Sequence, residues 1–430
     1  MTNAIAVIGI FAAALFVWGV FGGGLEKLNV TGPILLAGVG LLAGPELLGL
    51  LSSPGEEGNE VILTFAEITL ALLLFSDAAR LGIRAAIRDS KPALRLLAFG
   101  LPLTILAGWG VGLLVLDELL LFEAAILAVI LAPTDAALGK SVVESPRVPR
   151  RVRSALNIES GLNDGISVPF FTLFLALAIN EGDAGAPSEW VVFLIEQIGF
   201  GVLAGIVVGV VGGVVVSRSY SRGWTTVAGL NLAPLALALT AWAGADAIEG
   251  NGFIAAFVAG LVTKRVTSDL DEKNLDFADR EGSLATSAVF FLFGYAALGP
   301  AIEDLSWEIA LYAVLSLTLV RMVPVAISLQ RMGFGPRTLA FVGWFGPRGL
   351  ASIVLALTLV ADRDEVAGTD TILTVAAIAV GASILAHGVS SRPLARRYGE
   401  SEEATEIREA RTDDEPSVAT RYESTSGSSA

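Results

Sequence analysis

Cysteine is absent from all 430 residues, which excludes disulfide frameworks, thiolate catalysis and zinc–thiolate sites. The single histidine, His387, excludes His-rich metal centres and most Ser-His chemistry. Charge is scarce too: 17% of residues are Asp, Glu, Lys or Arg, where a soluble domain carries roughly a quarter. The balance is acidic, at −15, so there is no basic surface for nucleic-acid phosphates. Lysine is rare beside arginine, and the acidic excess lies in loops and tail. That balance fits either a surface facing concentrated salt or an ordinary acidic bacterial protein. The first residues lack the basic region and cleavage site of a signal peptide, so the first apolar run is expected to remain as a span.

What is abundant is apolar sequence, at 54% of residues. Runs near 20 residues, enough to cross a bilayer as helices, recur almost end to end. The expected fold is an all-α integral membrane protein with 13 transmembrane helices, at 4–24, 30–51, 61–81, 92–116, 119–140, 152–179, 190–216, 225–245, 250–262, 282–298, 309–329, 337–360 and 371–391. Positive residues collect on the cytoplasmic side of membrane proteins. All but Arg321, Arg348 and Arg363 of the 28 basic residues fall in alternate connectors or the tail. The expected layout therefore has the N-terminus outside and the C-terminus in the cytoplasm, in the cell membrane. Residues 1–398 form the membrane domain, and the polar segment 399–430 is expected to be a disordered cytoplasmic tail.

Two spans carry a break. Span 5 contains Ala132-Pro133-Thr134-Asp135, and span 12 contains Gly343-Trp344-Phe345-Gly346-Pro347-Arg348-Gly349. Proline removes a backbone donor and clashes with the preceding turn. Seven spans separate the breaks, so the two helices run antiparallel, as in an inverted repeat of spans 1–6 and 8–13 with span 7 as linker. Interrupted segments at corresponding positions point to a transporter's midplane site.

Charged groups at bilayer depth cost several kcal/mol or more unless paired or hydrated, so they are functional candidates. In span 6, Ser160 and Asp164 are four apart on one helical face, with Glu159 and Asn163 on the next. Hydroxyl and carboxylate oxygens suit a small hard cation, and carbonyls freed near Thr134 and Asp135 can complete its shell. Glu159 needs a cationic partner, and only Arg321 and Arg348 lie at depth. Arg348, at the opposite break, is the expected one, leaving Arg321 for Asp135 or helix-end carbonyls. Asp77 is either a further carboxylate at the site or an interfacial partner of Arg80 or Arg84. Glu67 has no evident partner, and His387 is expected at the interface rather than in a proton relay.

Pro133-Thr134-Asp135, Glu159-Ser160-x-x-Asn163-Asp164-Gly165 and Gly346-Pro347-Arg348-Gly349, in that order, resemble monovalent cation/proton antiporters of the NhaP and Na⁺/H⁺ exchanger type. The resemblance covers about residues 4–391. It implies a secondary transporter rather than an enzyme, a homodimer, and a mobile core in which the broken helices cross and move like an elevator. It implies that Asp164 alternately carries Na⁺ (or Li⁺) and H⁺, with Ser160 and a Thr134 oxygen as ligands and no cofactor. It also implies a Glu–Arg pair at Glu159 and Arg348, and electroneutral exchange from Asn163 beside Asp164. Many relatives carry a glutamate in a Leu-Phe-Glu-Gly-Gly stretch, where this chain has Phe75-Ser76-Asp77. A K⁺-preferring or electrogenic antiporter is the nearest alternative. A channel lacks a filter motif here, and an aspartyl protease using Asp135 and Asp164 lacks a Gly-x-Gly-Asp setting.

Overall fold

A computed structural model describes residues 2–80, 91–135, 138–179, 187–267, 276–362 and 365–412. The loop charges at Arg84, Arg88, Glu181–Asp183, Lys273 and Arg363, and the tail from 413, lie outside the described residues. The described residues contain no strand. In chain order the helices are α1 (Thr2–Lys27), α2 (Gly32–Ala43), α3 (Gly55–Arg80), α4 (Lys91–Val115), α5 (Leu121–Ile130), α6 (Lys140–Val143), α7 (Arg150–Ile179), α8 (Pro187–Ser221) and α9 (Val227–Asp246). Then follow α10 (Gly252–Val266), α11 (Asp276–Phe293), α12 (Trp307–Leu317), α13 (Leu319–Ser328), α14 (Pro336–Trp344), α15 (Leu350–Thr358), α16 (Thr369–Gly399) and α17 (Glu402–Thr412). Among the described residues nine helices are long and apolar enough to cross a membrane, with Gly32–Ala43 and Leu121–Ile130 as shorter apolar ones. Each expected span contains helix.

With every side chain apolar, helix against helix gains little from hydrophobicity in lipid, and close packing of small residues takes over. Glycines Gly201, Gly205 and Gly209 line one side of α8 four residues apart. A Cβ on any of them would fall within 3.0 Å of an α10 or pre-α10 carbonyl, from Asn251, Ala255 or Ala259. The two helices therefore lie backbone to backbone. By contrast, α1 is exposed along nearly its whole length, with Ile5, Phe16 and Phe21 outward, as a lipid-facing helix would be.

Helix irregularities have local causes. A π turn at Leu96–Gly100 inside α4 precedes Pro102, and one at Gly294–Leu298, after α11, precedes Pro300. A proline ring collides with the carbonyl four residues back, and each such carbonyl lies in the widened turn. The breaks of spans 5 and 12 are fully non-helical: α5 stops before Leu131, and residues Phe345 to Gly349 separate α14 from α15. A further interruption at Thr318 divides span 11 into α12 and α13.

Two basic connectors converge on the end of α13. Arg95 Nη1 donates to the Gln330 carbonyl at 3.0 Å and Arg151 Nη2 to that of Met332 at 3.0 Å, so both meet the end of α13. Arg392 of α16 pairs with Glu26 of α1.

The tail departs from expectation. Segment 399–430 was expected to be disordered, but Glu402–Thr412 forms α17, with Ala404 fully buried. Its order comes from capping rather than apolar mass. Glu403 accepts from Thr338 N–H at 2.8 Å, Arg337 N–H at 3.2 Å and the Thr338 hydroxyl at 2.9 Å, supplying the cap that Gly335 cannot give to α14. Arg408 returns to the Gly399 carbonyl at the end of α16. The Glu403 carboxyl lies below its usual 4.5: burial acts to raise it, but the donors from Thr338 and Arg337 outweigh that. A carboxylate with a depressed value contributes stability above its unfolded value and loses it as pH falls through the folded one. Glu403→Ala should therefore lower the detergent melting temperature at pH 7, equivalent to about 1 kcal/mol for a lost cap, and the difference from wild type should shrink below pH 4.5. An unchanged melt at pH 7 would show that α17 does not brace α14.

Candidate functional site

The two breaks face each other, and each supplies the charge the other lacks. Broken helices leave carbonyls at a negative C-terminal end and amides at a positive N-terminal end. Arg348, fully buried, turns its guanidinium to the carbonyls of Ala132 (3.2 Å), Pro133 (3.4 Å) and Gly346 (3.2 Å), and to that of Ser316 (3.4 Å). Asp135 does the converse: its Oδ2 accepts from Leu350 N–H at 2.9 Å, capping α15, while its own N–H donates to the Pro347 carbonyl at 2.8 Å. Gly349 makes that cap sterically feasible, since a Cβ there would sit 2.0 Å from Asp135 Oδ2. Freed backbone groups at membrane depth must find protein, water or an ion, and here protein side chains take them.

Glu159 pairs with Arg321. The contacts are bidentate, Nη1 to Oε1 at 2.6 Å and Nη2 to Oε2 at 2.8 Å, and both side chains are 2% exposed. The expected Glu159–Arg348 pair is thus corrected: the two arginines exchange the roles assigned to them. The reason is geometric. Arg348 starts inside the break and is surrounded by carbonyls, whereas Arg321 enters from α13 past Gly346. A Cβ on Gly346 would lie 2.3 Å from Arg321 Nε, so glycine at 346 lets the guanidinium through. Two arginines at similar depth are indistinguishable in sequence, and the Gly346 clearance was the missed signal.

With these pairs assigned, the α7 face toward the span 5 break carries the remaining polar groups. The Ser160 hydroxyl donates to the Thr134 carbonyl at 2.5 Å, and Asn163 Nδ2 donates to the Thr134 hydroxyl at 2.8 Å. Thr134 is held at both of its oxygens by α7. Asn163, placed by helical spacing on the Glu159 face, bridges to Thr134 all the same, because residues three apart are also neighbours. Asp164 keeps Oδ1 buried with no hydrogen-bond partner, and Asn163 Oδ1 shares that condition. The carboxylates that act on Asp164 electrostatically are Asp135 and Asp77. Asp77 comes from α3 and lies beside α7, where a Cβ on Gly161 would be 3.6 Å from its own. The structure therefore brings Asp164, Ser160, Thr134, Asn163, Asp135 and Asp77 to one region, with Glu159, Arg321 and Arg348 as its frame. Among the described residues no three acidic or histidine side chains cluster as a metal site would require. The donors are one carboxylate, hydroxyls and a backbone carbonyl, a hard set suited to a single monovalent cation.

A crevice reaches this region between the breaks and the α6 connector. It is narrow, with room for about one water molecule, and is lined by Thr134, Asp135, Ser160, Pro347, Phe345, Leu156 and residues of the 139–143 segment.

Residues 10–397 match the model of the transmembrane sodium/hydrogen exchanger family. The chain belongs to that family. Among its relatives is a Na⁺/H⁺ antiporter of Schizosaccharomyces pombe, 26% identical over 79% of this chain and 76% of its own length. A K⁺/H⁺ antiporter, NhaP2, of Shewanella oneidensis is 25% identical over 77% of this chain and 57% of its own. Another K⁺/H⁺ antiporter, NhaP of Alkalimonas amylolytica, is 28% identical over 86% and 63%. The chain thus spans less than two thirds of these two bacterial relatives. The fold is that of the sodium proton antiporter MjNhaP1 of Methanocaldococcus jannaschii at pH 8, with a TM-score of 0.72 and 20% identity, over 93% of this chain and all of that one. This exchanger-family chain is accordingly a multi-pass secondary transporter of the cation/proton antiporter class, not an enzyme.

In this exchanger the buried pair yields a direct test. Removing one member leaves the other charge uncompensated, a cost of about 3–5 kcal/mol. Arg321→Ala should lower the detergent melting temperature sharply, and adding Glu159→Ala should restore part of it. Glu159→Ala should not rescue Arg348→Ala, whose loss orphans carbonyls instead. Thermal denaturation of the five proteins decides it, and rescue of the Arg348 variant would overturn the assignment.

Proposed function

We propose that the protein exchanges Na⁺ (or Li⁺) for H⁺ electroneutrally across the cell membrane, with both ions competing for Asp164. The observation that carries this reading is the partnerless buried Oδ1 of Asp164, on the same helix whose Ser160 and Asn163 fix Thr134 at both oxygens. The other charges of the region have assigned work: Glu159 and Arg321 neutralise one another, while Asp135 and Arg348 close the helix breaks. A cation at Asp164 is completed by oxygens of Ser160 and Thr134, with Asp77 as a further carboxylate from α3. Asn163 is uncharged, so α7 offers one titrating carboxylate at the site, Asp164, consistent with one cation against one proton. One carboxylate cannot hold both ions comfortably, and that exclusion couples the fluxes without a separate gate.

The crevice is lined by residues 139–143, part of the connector that the positive-inside distribution assigns to the cytoplasm. The reading is a thirteen-span inverted repeat, N-terminus outside, working as a homodimer with an elevator-like core. Control of cytoplasmic pH and sodium is the role such exchange serves.

A K⁺/H⁺ antiporter is the second reading, because the bacterial relatives cited above carry that name. In proteoliposomes, wild type should dissipate an imposed proton gradient on addition of Na⁺, with apparent cation KM rising as pH falls because protons occupy the site. Asp164→Asn should abolish exchange. Persistent exchange in that variant would sink the mechanism. A lower KM for K⁺ than for Na⁺ would select the second reading, and a rate that depends on a clamped voltage would overturn electroneutrality.

A further inference from the structure

His387, Ser383 and the break in span 12 form a connected set that the ion site does not use. His387 is fully buried on α16, not interfacial as expected. Its Nε2 lies 2.8 Å from the carbonyl of Trp344, the last residue of α14. A carbonyl only accepts, so Nε2 carries the hydrogen. One turn earlier on α16, Ser383 Oγ accepts the Arg348 N–H at 2.7 Å, just before α15 begins. The serine hydroxyl hydrogen is then available to His387 Nδ1, 3.1 Å away. The four groups are connected, from Arg348 N–H through the Ser383 hydroxyl to the imidazole, and from the imidazole to the Trp344 carbonyl. Nδ1 also lies 3.0 Å from the Ser383 carbonyl, so the ring bridges the backbone of α16 to that of the break. The indole of Trp344 lies over the ring at 5.0 Å and is itself held by Ser390 at 3.0 Å. Span 13 thus grips both ends of the break in span 12.

That grip continues to the ions. Ser383 fixes the backbone of Arg348, and the Arg348 side chain holds the carbonyls of Ala132 and Pro133. The next carbonyl along the chain is that of Thr134, the one bonded by Ser160. We infer that His387 is a positioning residue for cation binding: through Trp344, Ser383 and Arg348 it sets where the Thr134 carbonyl stands. This rests on the reading of Asp164, Ser160 and Thr134 as the ion site. His387 itself touches no ion.

The test is cation KM and maximal rate in proteoliposomes for wild type, His387→Gln, His387→Leu and Ser383→Ala, with Asp164→Asn as control. Glutamine supplies one donor and one acceptor, as the neutral imidazole does, and should keep KM within about twofold. Leucine and the serine deletion each strand a buried backbone group. They should raise KM on the order of tenfold while maximal rate changes less. A merely structural role would lower yield or melting temperature and leave the KM of the folded protein alone. Unchanged KM in His387→Leu, or in Ser383→Ala if the leucine variant does not fold, would overturn the inference. If Asp164→Asn still exchanges, the ion-site reading fails instead, so the two failures are distinguishable.

Discussion

The structure depends on how backbone groups freed at bilayer depth are satisfied. A helix interrupted in hydrocarbon exposes amides and carbonyls that water cannot reach, each costing several kcal/mol if left alone. Two interruptions set face to face solve this reciprocally. The positive side chain of one break meets carbonyl ends, and the negative side chain of the other caps an amide end. Each polarity is matched by a charge from the opposite break, so neither break is satisfied without the other.

This closure frees the proposed ion site from structural duty. Were Arg348 not committed to the helix ends, its buried guanidinium would be free to neutralise a carboxylate of the region. The bidentate bond between Glu159 and Arg321 consumes the other buried guanidinium in the same way. Thr134 and Asp164 are then left in a frame whose charges cancel, where a small cation or a proton can supply what is missing.

Much of this was legible in the chain. Proline and glycine at bilayer depth located both breaks, and helical spacing put Ser160 and Asp164 together. The resemblance placed the chain in its family. The choice of arginine for Glu159 was not legible, since it turns on an approach past Gly346 that no spacing encodes. The role of His387 was hidden for another reason. A lone histidine carries no pattern, although Ser383, His387, Ser390 and Ser391 form a polar stripe at helical spacing along span 13. The helix Glu402–Thr412 was masked by composition, because its order comes from one carboxylate on a distant helix end.

The contacts of Arg348 run to main-chain oxygens at Ala132, Pro133, Gly346 and Ser316, whichever side chains those residues carry. No second-site change at those four positions can create a replacement partner, since every amino acid offers the same carbonyl. Glu159 and Arg321 differ, because a compensating side chain there is conceivable. The two arginines, alike in type and depth, therefore sit under opposite genetic constraints: one belongs to a pair that can drift together, the other is tied to the backbone and has no suppressor among the residues it contacts.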